Sequence, residues 1–162
     1  MMVNYIFVFG TEMRDLPGQR ILASFEVSRQ DAEANGTLYA PSASVPVAVF
    51  EDGSGRMVRG ELVQIKDGAY MAAAINALAQ SQGYLGKGDP GNLVEMTKIT
   101  VRPFGGDVPV KGVIAFAASD TFDLSLVDVV DDGNWRNYRK NANGDHLDAD
   151  TITTLSGQAS VD

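Results

Sequence analysis

The chain has 162 residues, is 44% hydrophobic with a mean hydropathy of −0.06, and carries a formal charge of −8 without one cysteine. That describes a single water-compatible domain with room for a proper core, and it sets aside disulfides, thiolate metal sites and thiol nucleophiles. An acidic chain without a basic stripe is a poor partner for nucleic acid or anionic membrane, and no apolar run approaches the ~20 residues of a membrane span. Met1 to Asn4 carry no Lys or Arg, unlike the start of a secretory leader, so a cytoplasmic protein is expected.

In chain order, Tyr5-Ile6-Phe7-Val8-Phe9 reads as a strand buried on both faces, with Gly10 permitting a sharp exit that turns backbone N–H groups outward. A polar stretch over 14–35 follows, with Pro17-Gly18 as a turn signal. Within it, Arg20 to Val27 fits a short strand or a helical turn equally well. Gly36 to Tyr39 begins another extended piece, and Val45 to Phe50 reads as a strand that Pro46 confines to an edge or to its own start. Asp52-Gly53-Ser54-Gly55 then links it to an alternating strand, Met57 to Ile65, in an expected hairpin.

Asp67 is the expected cap of a helix whose Met71, Ile75 and Leu78 share one face, ending near Gln82 with Gly83 as its stop. After a Gly-rich loop over 86–91, Leu93 to Arg102 and Val108 to Ala117 read as two more strands. Strands with one helix inserted predict an α+β fold, a small and mostly antiparallel β-barrel with one main helix. The domain is expected over 1–140. Residues 141–162 form a polar tail with Asp145, Asp148, Asp150 and Asp162 and no basic residue, and it is expected to be flexible.

Five segments, spread over about residues 3–140, fall in a telling order. Phe9-Gly10-Thr11-Glu12-Met13 resembles the Tyr-Gly-Ser/Thr loop of the gamma-glutamylcyclotransferase-like family, and Gly36-Thr37-Leu38-Tyr39 resembles its Gly-x-Leu-Tyr strand. Val58-Arg59-Gly60-Glu61-Leu62 is similar to its Val-x-Gly-Glu-Leu strand, and Leu78 to Tyr84 to its Leu-Asp-x-x-Glu-Gly-Tyr helix end. Gly133-Asn134-Trp135-Arg136-Asn137-Tyr138 resembles its Gly-Asp-Trp-x-x-Tyr ending.

The resemblance implies a γ-glutamyl-type small-molecule ligand and no cofactor. The ligand's α-amine attacks its own γ-carbonyl, forming 5-oxoproline and releasing an amine or amino acid. Such a reaction needs a base for the α-ammonium, a folded substrate, and donors for the oxyanion. Phe9, Gly10, Thr11, Glu12 and Met13 would line the ligand site, the loop backbone supplying the donors.

The family's base is the Glu of Glu-Gly-Tyr, and here Gln82 holds that position while Ala79 replaces the Asp. An amide binds an ammonium through its carbonyl but does not deprotonate it, so little or no 5-oxoproline formation is expected. Three alternatives stay open: a base relocated to Glu12, with Glu61 and Glu95 behind it; an engineered Glu-to-Gln trapping substitution; and a non-catalytic structural or protein-interaction module. Glu61 is either a solvated carboxylate or a pocket acid, while Tyr84 and Trp135 read as packing residues. The one histidine, His146, has too few partners for a zinc site, and Asn141, Asn143 and Asp145 lack the glycine and glutamate spacing of a calcium loop. No metal is expected, and the oligomeric state is open.

Overall fold

The computed structural model describes residues 4–42, 44–106 and 108–144. Its strands are β1 (Asn4–Val8), β2 (Glu26–Ser42), β3 (Val45–Phe50), β4 (Met57–Ile65), β5 (Val94–Pro103), β6 (Val110–Ala118) and β7 (Asp128–Val129). Three short helices join them: α1 (Arg20–Ala23), α2 (Tyr70–Ser81) and α3 (Trp135–Gly144). Among the described residues no helix is long and apolar enough to cross a membrane.

Five strands close a mixed barrel in the order β2-β4-β1-β6-β5, with β5 returning to β2 through Ala32↔Pro103 and Glu33↔Arg102. All pairings are antiparallel except β1 with β6, which meet at Ile6↔Ile114. The α+β barrel expected from sequence is therefore the fold. Its core runs from Ile6, Phe7 and Val8 through Leu38, Leu62, Val63 and Ile65 to Val113 and Phe116. Trp135 at the start of α3 is fully buried and stacks on Tyr138, with ring centroids 5.1 Å apart.

Three local expectations are corrected. The polar stretch over 14–35 contains α1 and then the first ten residues of β2, a single 17-residue strand that also takes in Gly36 to Tyr39. Its buried face from position 32 is Ala32, Ala34, Gly36, Leu38 and Ala40, alternating correctly but, Leu38 apart, with side chains too small to announce a strand. The expected β3–β4 hairpin does not form. β2 is long enough to serve both strands, pairing with β4 over Glu26–Asn35 and with β3 over Gly36–Ser42. Asp67 does not cap α2, whose first turn follows Ala69 without a side-chain cap.

The other end of α2 is as expected. Gln82 is the C-cap, Gly83 adopts φ +68°, and the Tyr84 N–H returns to the Ala79 carbonyl at 2.9 Å. The stretch expected as a tail from 141 continues α3 through Gly144; its remainder, with His146 and the four aspartates, lies outside the described residues.

Candidate functional site

The site begins where β1 ends. Gly10 lies so close to β3 that a Cβ there would stand 2.6 Å from Pro46 Cγ. The chain then turns tightly: the Met13 N–H donates to the Gly10 carbonyl at 3.1 Å and the Gly18 N–H to the Thr11 carbonyl at 2.7 Å. Two anchors from the barrel wall hold the next peptide units. Arg29 Nη1 donates to the Glu12 carbonyl at 2.8 Å, and the Arg14 N–H donates to Glu61 Oε1 at 2.8 Å.

This loop closes one side of a cavity of about 200 Å³. Phe9, Thr11 and Glu12 line it from the loop, Val45, Pro46 and Val47 from β3, Ser81 and Gln82 from the end of α2, and Leu93 and Val94 from the start of β5. Among the described residues, Glu12 is the only ionisable group in that lining. It is 9% exposed and accepts the Thr11 hydroxyl at 3.2 Å. Burial pushes its carboxyl above the ordinary 4.5, against the opposing pull of its own backbone N–H, Thr11 and the Arg29 charge. The cavity thus combines one desolvated acid, one neutral amide and an apolar rim.

Of the residues expected at the site, the structure brings Phe9, Thr11, Glu12 and Gln82 to this cavity; Gly10 and Met13 do not line it. Met13 is buried and borders a separate cleft of about 170 Å³ beside Glu61, Phe104 and Arg136. Glu61 is neither solvated nor free. It is 1% exposed, and its carboxylate accepts Arg29 Nη1 at 2.7 Å and Arg136 Nη2 at 2.9 Å, with Arg14 Nη2 at 3.3 Å. Burial would raise its pKa, but the hydrogen bonds and charges of Arg29 and Arg14 hold it below its ordinary value. A carboxylate so paired is a poor base.

Glu95 is bound by Asn92 Nδ2 at 2.9 Å and borders another cavity, about 500 Å³ along β5, β6 and the end of β3. That groove contains neither the β1 exit loop nor Gln82. Sequence reasoning missed Arg14, Arg29 and Arg136, because arginines in a polar strand, a turn and a helix carry no signal until the fold gathers them around Glu61. Pro46, read only as an edge marker, is a wall of the cavity. Among the described residues no group of three or more His, Asp or Glu side chains is placed to hold a metal ion.

A family model described as gamma-glutamyl cyclotransferase, AIG2-like, matches residues 6–137. No curated protein matches the chain in sequence. Among solved structures, YkqA from Bacillus subtilis superposes with a TM-score of 0.61 at 18% identity over 87% of this chain, which spans only 42% of YkqA. An AIG2-like protein from Mus musculus gives 0.53 at 17% identity, covering 76% of this chain and 81% of that one. A protein from Arabidopsis thaliana gives 0.56 at 20% identity over 100% of this chain and 97% of its own. At these identities the structural likeness concerns the fold.

Proposed function

This chain belongs to the gamma-glutamyl cyclotransferase, AIG2-like family, and we propose that its loop-and-helix cavity binds a γ-glutamyl-type small molecule while forming little or no 5-oxoproline. The observation that carries the reading is that Thr11, Glu12 and Gln82, drawn from two of the family-like segments, line one open cavity rather than a space filled by side chains. That favours a ligand site over a purely structural module.

The chemistry follows from what the cavity contains. An α-ammonium next to Gln82 meets a carbonyl oxygen that accepts its hydrogen bond but leaves it protonated and therefore not nucleophilic. The missing base costs about 10²–10⁴ in rate. The backbone N–H of Thr11 is the donor the loop offers to a developing oxyanion, since that of Glu12 is engaged by its own carboxyl. The ligand's γ-carbonyl is then held and polarised, while its amine stays inert.

A second reading rests on one specific observation: Glu12 lies in the same cavity, and burial raises its pKa. A desolvated carboxylate binds protons more readily, which is what a general base for an ammonium requires. Against it stands the substrate's own α-carboxylate, which a second anion repels. Calorimetric titration with 5-oxoproline, with a product assay on a γ-glutamyl amine, separates the readings. Binding without turnover supports the first. Turnover that Glu12→Gln abolishes supports the second. Neither binding nor turnover overturns both.

A further inference from the structure

We propose that Glu61 and Arg29 form a buried clamp that fixes the Thr11–Arg14 loop from behind, making both positioning residues of a cavity that neither lines. This rests on the reading of that cavity as a ligand site.

The geometry is specific. Arg29 Nη1 makes two bonds at once, to Glu61 Oε1 at 2.7 Å and to the Glu12 carbonyl at 2.8 Å. The same Glu61 oxygen accepts the Arg14 backbone N–H at 2.8 Å. The peptide units on both sides of Met13 are therefore tied to one ion pair, one through an oxygen and the other through a nitrogen. Between these ties the backbone from Glu12 to Arg14 has little freedom to shift, and with it the Cα from which the Glu12 side chain reaches the cavity.

The clamp is itself held rigidly. The Arg29 side chain is 5% exposed and donates to Glu26 from Nη2 and Nε at 2.7 and 3.2 Å. Glu61 stands on β4 opposite Val8, the last residue of β1, so the strand that delivers the loop and the carboxylate that anchors it share one register pair. Arg136 approaches the other Glu61 oxygen from α3 and, among the described residues, donates to no backbone carbonyl of residues 11–14. A bifurcated guanidinium reaching an oxygen of the loop and a carboxylate together is a task for Arg. The single ammonium of a Lys cannot also hold Glu26 as Nε and Nη2 do, and so loses the fork that fixes Nη1 on its two acceptors.

The test is amide hydrogen exchange on the full chain without ligand, in Glu61→Gln, Arg29→Lys and Arg136→Ala, alongside unfolding in urea. In Glu61→Gln and Arg29→Lys the amides of residues 11–16 should exchange about tenfold or more faster relative to those of β4 and β5, with the Arg14 N–H foremost. Arg136→Ala should leave the loop close to the parent chain. Should Glu61→Gln fail to fold, Arg29→Lys carries the test, since it keeps the charge and removes the guanidinium fork that orients the bridging nitrogen. Acceleration spread evenly over the barrel, or equal loop loosening in Arg136→Ala, would show ordinary packing and overturn the clamp.

Glu61→Gln and Arg29→Lys titrated with 5-oxoproline should bind it about tenfold or more weakly than the parent chain, and Arg136→Ala about as tightly. If the unsubstituted chain binds none, the ligand reading fails, while the exchange pattern still decides whether the clamp exists.

Discussion

Glu12, in the loop that leaves β1, and Gln82, the residue that caps α2, line the same cavity, and only Glu12 can carry a charge there. In the proposed function, this combination of a buried acid and an amide decides whether a bound amine keeps its proton. It also ties the site's chemistry to the pH dependence of the fold.

Glu12 and Glu61 titrate in opposite senses. The Glu61 pKa lies below 4.5, so its stabilisation is present above that pH and is lost as the pH falls through its folded value. The Glu12 pKa lies above 4.5, so its stabilisation is complete below that pH and is lost as the pH rises through its folded value. Urea unfolding between about pH 3 and pH 8 should therefore show Glu61→Gln with a flattened acid limb and Glu12→Gln with a flattened decline above 4.5. Unchanged limbs in either variant would mean that the carboxyl titrates alike in the folded and unfolded chain.

Gly10→Ala should damage fold and site together. The added Cβ meets the Pro46 ring at 2.6 Å, and Pro46 is a wall of the cavity. Forced overpacking of this kind costs about 1–3 kcal/mol. Urea unfolding should register that loss, and 5-oxoproline titration should show weaker binding. Parent-like values in both would mean that β3 yields freely.

Trp135 is buried at 0% exposure, and its Nε1 has no hydrogen-bond partner among the described residues. Its contribution is thus packing against Tyr138 and the core rather than hydrogen bonding. Trp135→Ala should cost about 3–5 kcal/mol. Trp135→Phe keeps an aromatic ring and sacrifices no hydrogen bond, so it should cost clearly less. Equal losses in the two variants would show that the indole nitrogen matters.

These residues also show why some of the molecule was legible in sequence and some was not. β1, β3, β4, β5 and β6 lie within two residues of where their apolar runs place them, and Gly83 ends α2 because its left-handed φ suits glycine. Only Gly36 to Tyr39 of β2 is legible as extended, because apart from Leu38 the core face from position 32 is Ala and Gly, whose small side chains give alternation without hydrophobic contrast. The β3–β4 hairpin was a local inference, defeated by a strand long enough to pair with both. For the site, the loop and the helix end were visible as family-like segments. The structure of Glu61 was not, because its partners come from positions 14, 29 and 136 and only the closed barrel brings them within 3.3 Å.

The measurement that bears most directly on the central claim is 5-oxoproline release from a γ-glutamyl amine by the chain as it stands and by Gln82→Glu. The substitution is nearly isosteric, so packing at the half-buried helix end should survive. A base restored at that position should raise release by about 10²-fold or more over the parent chain. If neither protein releases product, and 5-oxoproline binds to neither, the cavity is not a γ-glutamyl site.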